Sequence, residues 1–342
     1  MAGKRKNGGS DDSQPTMHDV AKLAGVSQMT VSRVMRGTGY LSPTVRDQVR
    51  AAAREIGYVH NRLARGHSAY DNPLVGVVVP TLQNRVFTEV LSGISDTLDR
   101  YGLRPVFGVA EYASEIEERI VFDLLSWRPR GLILAGVEHT DPVRQIVKQT
   151  GVKTAEIMDI DGVPLSACFG ISHTDAGRTM AQHLIERGYR TFGYIASQGG
   201  KDLRASKRFD GFVETVRQAG GRITAEKLSA DASSMVVGRK MAEEILAAAD
   251  APEALYFSND DLAAGGLMHC LANGISVPGD VAIAGFNGLD FLNALPMQIT
   301  TTQTPRYKMG EAAADWIANA DTQDSEPAVH ELDTKLIIGD TT

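Results

Sequence analysis

From residue 73 onward, short runs that are apolar at nearly every position alternate with longer stretches of helical periodicity. A strand that is apolar on both faces belongs inside a parallel sheet, where crossover helices cover both sides. We therefore predict an α/β body with parallel sheets. The predicted strands cover residues 74–79, 104–109, 131–136, 153–158, 192–195, 254–257 and 281–284, and two of the helices cover residues 86–101 and 114–126.

This body is long for a single sheet. It contains about 270 residues, and chains of that size tend to divide into separate cores. Two strand-like passages, residues 158–172 and 298–304, are predicted to cross between two lobes, and three crossings would make a clamshell. We place the N-lobe at about residues 73–170 and 303–331, and the C-lobe at about residues 171–302 and 332–342.

Charge is distributed unevenly along the chain. Residues 1–70 carry 11 Lys/Arg against 5 Asp/Glu, whereas the other 272 residues carry 24 against 37. A basic segment joined to an acidic body is typical of a nucleic-acid-binding module fused to another domain. A basic tail at Lys4, Arg5 and Lys6 followed by solvated helix surface explains the same charges equally well, so the local pattern must decide.

The composition excludes several classes of protein. With 43% hydrophobic and 23% charged residues, the 342-residue chain is globular rather than disordered. Its two cysteines, Cys168 and Cys270, exclude a disulfide framework and a structural zinc site. No apolar run approaches the roughly 18 residues of a membrane span, and residues 1–15 form a polar tail, expected to be disordered, that does not resemble a signal peptide. We expect a soluble, cytoplasmic protein.

The sequence lacks the motifs that would support catalysis. It contains no GxxxxGK(S/T) phosphate loop, no GxGxxG after the first strand, no HExxH and no GxSxG. Asp159 and Asp161 are paired carboxylates, but their spacing in a strand-like segment is weak support for acid–base chemistry. We predict that the protein is not an enzyme and needs neither a metal nor a cofactor.

The basic segment has the pattern of a helix-turn-helix over residues 16–60. Thr16, Ser27 and the pair Ser42-Pro43 can each cap the start of a helix, and Gly25 allows a tight turn after the first helix. Two short helices joined by a turn that contains glycine form this motif. The positions predicted to face inward are Val20, Ala21, Leu23 or Ala24, Val31, Val34, Val45, Val49, Ala52, Ala53 and Ile56.

The second helix of such a motif places its first residues against base edges in the major groove. Gln28 can pair with adenine and Arg33 with guanine or phosphate, while Thr30, Ser32 and Arg36 can hold phosphates. The same side chains could instead form the solvated face of a small helical bundle. The glycine turn and the positive charge coincide here, and this coincidence favours DNA binding.

These residues resemble a known family. The runs MHDVAKLAGVS (residues 17–27), TVSRV (30–34) and NRLAR (61–65) are similar to the headpiece and hinge of the LacI/GalR transcription regulators, and the similarity extends to about residue 340. Within that family, residues 82–91 and 156–159 most resemble the gluconate-utilisation repressors. The resemblance implies a helix-turn-helix headpiece and a hinge helix, followed by a clamshell like that of periplasmic sugar-binding proteins.

The resemblance also implies which residues contact DNA. Gln28, Met29 and Arg33 would read bases, with Met29 limited to apolar contact, and residues 61–72 would form a hinge helix and linker. In relatives a leucine wedges into the minor groove where this chain has His67, so the wedge is weakened or His67 is an exposed linker residue. The full set predicted to contact DNA is Thr16, Gln28, Met29, Thr30, Ser32, Arg33, Arg36, Asn61, Ala64 and His67.

A homodimer follows from this mechanism. A hinge helix of seven residues is unstable alone in water, whereas two copies side by side on a pseudo-palindromic double-stranded DNA operator support each other. The helices at residues 86–101 and 114–126 are the candidates for the dimer face. Residues 333–342 show no leucine heptads, so we expect a dimer rather than a tetramer.

Polar residues that follow the predicted strands are the candidates for a ligand site in the cleft, because ligands bind at the carboxyl ends of parallel strands. These residues are Asn84, Arg85, Glu138, His139, Asp159, Asn259, Asp260 and Asn287. By family position, the most direct matches are Phe87, Asp159, Arg208, Asn259 and Asn287. The predicted effector-binding set is Asn84, Phe87, Glu138, Asp159, Arg208, Asn259 and Asn287.

This set suits a small polyhydroxy acid such as gluconate. A carboxylate and amides can hold hydroxyl groups in paired hydrogen bonds, and Arg208 can bind a carboxylate through two N–H groups. Structural roles are open for some members: Asp260 can cap a helix, Phe87 can belong to the core and Asn287 can serve a turn. Another sugar or a sugar phosphate is an alternative effector, and a sugar-binding protein without a DNA role is an alternative function.

Overall fold

The computed structural model describes residues 15–36, 38–58, 72–197, 201–319 and 327–342. Contacts divide the chain into two compact units, with the three N-terminal helices in one and all the described strands in the other. The predicted hinge residues Asn61, Ala64 and His67 lie outside the described residues. So does the predicted tail, apart from its last residue.

The first unit contains α1 (Met17–Leu23), α2 (Gln28–Arg36) and α3 (Pro43–Glu55). Each helix begins where the sequence predicts, because Thr16, Ser27 and Ser42 accept hydrogen bonds from backbone N–H groups of the first turn. The predicted helix-turn-helix is confirmed. Its buried core consists of Val20, Ala21, Ala24, Val31, Val34, Val49, Ala52 and Ala53, and Val45 and Ile56 pack against it.

Two positions in this unit could not be assigned correctly from the pattern alone. Ala24 is 2% exposed and Leu23 is 45% exposed, so Ala24 is the inward residue of that pair. Ser32 was expected to face outward with the DNA-contacting side chains, but it is 3% exposed and this expectation is wrong. Ser32 lies beside the apolar stripe of α2, where Val31 and Met35 pack inward, and its short side chain is covered there.

The second unit alternates strands and helices along the chain. Its elements are β1 (Leu74–Val79), α4 (Arg85–Arg100), β2 (Arg104–Val109), α5 (Ser114–Ser126), β3 (Gly131–Ala135), α6 (Asp141–Thr150), β4 (Lys153–Asp159), β5 (Ala167–Ile171), α7 (His173–Glu186), β6 (Thr191–Ala196), α8 (Leu203–Gln218), β7 (Arg222–Leu228), α9 (Met235–Leu246), β8 (Ala254–Phe257), α10 (Asp260–Ala272), β9 (Ala282–Asn287), a short 3-10 helix (Asp290–Ala294), β10 (Thr300–Gln303), α11 (Arg306–Ala318), β11 (Ala328–Glu331) and β12 (Lys335–Ile337).

The described strands form two six-stranded sheets, one in each lobe. The N-lobe sheet has the order β11-β5-β4-β3-β1-β2 and is parallel throughout. The C-lobe sheet has the order β12-β10-β9-β8-β6-β7, in which β12 alone of the described strands runs antiparallel. The two-lobed α/β architecture predicted from the apolar runs is confirmed. No helix in the described part of the chain is both long enough and apolar enough to cross a membrane.

The chain passes between the lobes three times. It leaves the N-lobe after β5, returns between β10 and α11, and leaves again between β11 and β12. After the second passage α11 packs against α4 of the N-lobe, and after the first passage α7 packs against α8 of the C-lobe. Each lobe is therefore assembled from segments that are distant in sequence.

Helices α7 and α8 approach each other closely because both carry a glycine at the contact. A Cβ atom at Gly177 would lie 1.9 Å from the Arg208 carbonyl oxygen, and one at Gly211 would lie 2.2 Å from the Thr174 carbonyl oxygen. No side chain fits at either position without a shift of the helices. The two glycines therefore fix how deeply α8 sits against α7.

We expect Gly177→Ala to destabilise the protein by about 1–3 kcal/mol, because the added methyl group overpacks the contact with α8. The direction of the change in stability is informative, since at an uncrowded helix position Gly→Ala would stabilise the protein by up to about 1 kcal/mol. Urea denaturation measures the difference. Arg217→Ala, on the exposed surface of α8, is the control and should change the unfolding free energy by less than about 0.5 kcal/mol. A Gly177→Ala protein as stable as the wild type would contradict the packing argument.

Candidate functional site

The exposed face of α2 carries all three residues predicted to read bases. Gln28, Met29 and Arg33 are all exposed, with Met29 at 64%. The Gln28 amide lies 2.9 Å from His18 Nδ1 on α1, and the Thr30 hydroxyl lies 2.9 Å from the Ser27 hydroxyl. This face combines an amide, a thioether and a guanidinium on one helix, which is chemistry suited to base edges and phosphates.

Of the other residues predicted to contact DNA, the structure describes the side chain of Thr16 but not those of Arg36 and the hinge residues. Thr16 is exposed, and its hydroxyl donates to Asp19 at 2.7 Å within a capping box. This bond and the backbone bond from Thr16 lower the pKa of Asp19. The side chain of Arg36 lies outside the described residues, as do Asn61, Ala64 and His67.

The second candidate site is a cavity between the lobes, lined by residues from both of them. Five of the seven predicted effector-binding residues line it together. Asn84 and Phe87 come from the start of α4 in the N-lobe, and Arg208, Asn259 and Asn287 come from the C-lobe. The cavity therefore lies where the clamshell prediction expects a ligand.

Arg208 is held on the cavity wall by neutral groups. It is 4% exposed, its Nη1 lies 2.8 Å from His173 Nδ1, and its Nη2 donates to the Ser258 carbonyl oxygen at 2.8 Å. Its guanidinium carbon lies 3.8 Å from the centroid of the Phe286 ring. Among the described residues, no carboxylate forms an ion pair with Arg208. Its positive charge is buried without a compensating negative charge.

His173 fixes this arrangement through its own protonation state. Burial, followed by the charges of Arg208 and Arg204, lowers the pKa of His173 well below its usual value. In the neutral ring, Nε2–H donates to the Met158 carbonyl oxygen at 3.0 Å, which leaves Nδ1 to accept from Arg208. His173 therefore adds no charge to the cavity.

Arg204 is a cavity residue that the sequence analysis did not identify. It precedes Arg208 by one turn of α8, is 8% exposed and lies 3.5 Å from Asp202, which also lines the cavity. Burial disfavours the charge on Arg204, but Asp202 and other acidic neighbours raise its pKa above the usual value. The i, i+4 spacing of two arginines on one helix was the available signal, since it puts both on one face.

Three predicted residues combine a structural role with their place in the cavity. Asn84 caps α4 by accepting from Val86 N at 3.0 Å, and Asn259 caps α10 by accepting from Leu262 N at 3.1 Å, so Asn259 rather than Asp260 is the cap of that helix. Phe87 is 1% exposed and belongs to the N-lobe core as well. Both caps use the amide oxygen, so neither occupies the amide NH2 group.

Asn287 and Asp260 lie close to the second passage between the lobes. Asn287 has φ 115°, a conformation that non-glycine residues seldom adopt, and its carbonyl oxygen accepts from Thr304 N at 3.2 Å and from the Arg306 guanidinium. Asp260 is fully buried and accepts from the Thr301 hydroxyl at 2.7 Å. Burial raises the pKa of Asp260 to about 7.

Glu138 and Asp159, the other two members of the predicted set, do not line the cavity. Lys207 on α8 binds both: its Nζ lies 2.6 Å from Asp159 Oδ2 and also forms an ion pair with Glu138. Burial raises the pKa of Asp159, and the hydrogen bond from Lys207 opposes that shift. Their carboxylates are thus already occupied by a side chain of this protein.

Two further strand-end candidates lie apart from the cavity lining. Arg85 forms a long ion pair, 3.9 Å, with Asp261. His139 lies between Glu117 at 2.6 Å and Glu156 at 3.3 Å. Burial disfavours the charged form of His139, but the hydrogen bonds to these carboxylates raise its pKa to about 9.

Comparison with known proteins gives two domain matches. Residues 16–61 match the bacterial regulatory proteins of the lacI family, and residues 181–342 match a periplasmic binding protein-like domain. The HTH-type transcriptional regulator GntR of Pseudomonas aeruginosa is 35% identical over 91% of this chain and 92% of its own length.

Two solved structures are similar to most of this chain. A LacI-family transcriptional regulator from Silicibacter pomeroyi has a TM-score of 0.88 and 41% identity, covering 96% of this chain and 99% of its own. The transcription regulator GntR from Chromobacterium violaceum has a TM-score of 0.71 and 33% identity, covering 78% of this chain and 98% of its own. The likeness thus includes both the headpiece and the two lobes.

We expect His173 to remain neutral, with its proton on Nε2, at pH 6, where a histidine with the usual pKa of about 6.5 is mostly protonated. Two-bond ¹H–¹⁵N spectra of ¹⁵N-histidine-labelled protein, assigned with His173→Gln, measure the tautomer. Because the folded pKa is the lower one, this residue makes the protein less stable as the pH falls below about 6.5. An imidazolium signal from His173 at pH 6 would contradict the assignment.

Proposed function

The chain belongs to the LacI family of bacterial regulatory proteins and is a DNA-binding transcriptional regulator rather than an enzyme, and from this premise we propose that it is a cytoplasmic, homodimeric repressor controlled by a sugar acid such as gluconate. The effector would bind in the cavity between the lobes. The operator would be a pseudo-palindrome that two headpieces contact together.

The buried guanidinium of Arg208 is the observation that carries the choice of an acidic effector. A buried charge is costly unless a partner compensates it, and the partners of Arg208 are a neutral imidazole, a carbonyl oxygen and an aromatic face. An anion that enters the cavity supplies the missing partner. A planar guanidinium also binds a carboxylate through two parallel hydrogen bonds.

The balance of charge supports a carboxylate over a phosphate. Among the described residues that line the cavity, Arg204 and Arg208 carry positive charge and Asp202 carries negative charge, while His173 is neutral. One positive charge is therefore in excess. A carboxylate brings one negative charge, whereas a phosphate monoester brings about 1.5 to 2 near neutral pH. A sugar acid matches the cavity better than a sugar phosphate.

The other cavity residues support a polyhydroxy chain next to that carboxylate. The amide NH2 group of Asn259 is not used by its helix-capping bond and can donate to hydroxyl oxygens, and Asn84, whose side chain also hydrogen-bonds Tyr112, has a second N–H to donate. The rings of Phe87 and Phe286 supply apolar surface for the carbon chain. Nine of the fifteen described residues that line the cavity are polar or charged, which suits a ligand rich in hydroxyl groups.

Regulation would work as a shift between two arrangements of the lobes. Effector binding favours one arrangement, which moves the two N-lobes of the dimer and separates the paired hinges at residues 61–72. The operator is then released. Such coupling is usually about 1–3 kcal/mol, and because it is reciprocal, operator binding must also lower the affinity for the effector.

Exposed aromatic residues support a dimer face on the N-lobe: Phe107, Phe122 and Tyr101 are 43%, 43% and 45% exposed.

We expect Arg208→Lys to bind gluconate about 10- to 100-fold more weakly, because hydrogen bonds to charged groups contribute about 1.5–3 kcal/mol and lysine lacks the planar fork. Isothermal titration calorimetry with gluconate, and with sorbitol as an uncharged analogue, measures the loss. Arg217→Ala is the matched control and should bind like the wild type. An Arg208→Ala protein that still responds normally to gluconate would refute the role of Arg208.

We expect Gln28→Ala and Arg33→Ala to have different effects on operator binding. Loss of a base contact should cost about 1–3 kcal/mol and relax specificity at one base pair, whereas loss of a phosphate contact should weaken binding to all sequences and lower the salt slope by about one. Fluorescence anisotropy with an operator selected from random DNA, its single-base variants and a salt series distinguishes the two. If both variants bind like Arg217→Ala, the exposed face of α2 is not the reading surface.

A further inference from the structure

Lys207 forms a contact between the lobes that lies outside the cavity lining. It lies on α8 of the C-lobe, directly before Arg208 and one turn after Arg204. Its Nζ reaches the N-lobe, where it binds Asp159 at the end of β4 and Glu138 in the segment after β3. One lysine therefore joins two N-lobe carboxylates to the helix that carries both cavity arginines.

The partners of Lys207 differ in burial. Asp159 is fully buried and its Oδ2 lies 2.6 Å from Nζ, whereas the Glu138 side chain is 38% exposed. A buried carboxylate that loses its hydrogen-bonded cationic partner is strongly disfavoured, while an exposed ion pair contributes little. The Asp159 contact is accordingly the stronger restraint between the lobes.

The same network reaches the first passage between the lobes. Lys207 Nζ also donates to the Asp161 carbonyl oxygen at 2.9 Å. The Asp161 carboxylate accepts from Thr174 N at 2.8 Å, and Thr174 lies at the start of α7. Lobes that move relative to each other must bend such connecting segments. Lys207 thus contacts the β4–β5 loop of the N-lobe, and the Asp161 carboxylate ties that loop to the first turn of α7 beyond the passage.

We propose that Lys207 is a positioning residue, which by binding Asp159 and Glu138 holds α8 against the N-lobe and so places Arg204 and Arg208 opposite Asn84 and Phe87. The cavity needs groups from both lobes at one separation, and Lys207 sets that separation without lining the cavity itself. Asp159 and Glu138 act through Lys207 rather than by binding a ligand. The effect of Lys207 on lobe separation does not depend on the identity of the effector, whereas its effect on effector affinity rests on the proposed function.

Spin-label distances between the lobes test the restraint in the absence of any ligand. Lys148→Cys on α6 and Lys240→Cys on α9 provide exposed label sites in the N-lobe and the C-lobe, while Cys168 and Cys270 are buried. Doubly labelled protein is diluted into unlabelled protein, so that each assembly carries one labelled chain. We expect Lys207→Met and Asp159→Asn to broaden or shift the distance distribution, Lys207→Arg to retain it, and Lys308→Met, an exposed lysine on α11, to leave it unchanged.

Calorimetry with gluconate tests the consequence for the cavity. We expect Lys207→Met to weaken binding about tenfold, within the usual range of coupling between sites. Lys207→Arg should restore most of the affinity, and Lys207→Met combined with Asp159→Asn should be no weaker than either change alone, because the two residues act through one contact. A residue with a merely structural role would lower the stability and leave the affinity unchanged.

The outcomes separate the two proposals. If Lys207→Met keeps the wild-type distance distribution, or changes it while gluconate affinity stays the same, the positioning role is overturned. If the wild-type protein binds no sugar acid, the proposed effector is wrong, and the spin-label distances still decide whether Lys207 restrains the lobes.

Discussion

The close contact between α7 and α8 is the constraint on which the cavity depends. Gly177 and Gly211 allow the two backbones to touch, and this fixes the depth of α8 in the C-lobe. One face of α8 then carries three cationic side chains toward the N-lobe. Arg204 and Arg208 line the cavity, and Lys207 binds Asp159. In the mechanism that we propose, these three cations serve two purposes: Arg204 and Arg208 set the charge of the cavity, and Lys207 sets the separation of the lobes.

Much of the fold follows from local pattern. The strands β1 and β8 have the bounds that the sequence predicts, because fully apolar runs leave little ambiguity in a parallel sheet; the edge strand β2 and the helix α5 also have their predicted bounds. β7 was not delimited, since it lies at the sheet edge and its residues are only partly buried, which removes the apolar signal. In the headpiece, Ser32 shows the limit of a binary pattern, because a small polar residue beside an apolar stripe can be covered by neighbouring helices.

Part of the candidate site could also be predicted from local sequence pattern. Strand ends identify where a ligand can lie, and Asn84, Asn259 and Asn287 line the cavity accordingly. What a carboxylate binds depends on side chains that approach from the other lobe, and no spacing along the chain encodes the pairing of Lys207 with Asp159. Arg204 and His173 were missed because their importance lies in burial and in charge balance, which only the packed structure defines.

The three passages between the lobes have a consequence for biosynthesis. β11, an edge strand of the N-lobe, and α11, which covers α4, come from residues 306–331, so a nascent chain must emerge almost completely before the N-lobe can close. Throughout synthesis of the C-lobe, the ribosome-bound chain exposes the free edge of β5 and the apolar side of α4. Unpaired strand edges and exposed apolar faces are prone to aggregation, so this protein is most vulnerable before its last segment has emerged. The headpiece, which ends its third helix at Glu55, has no such delay.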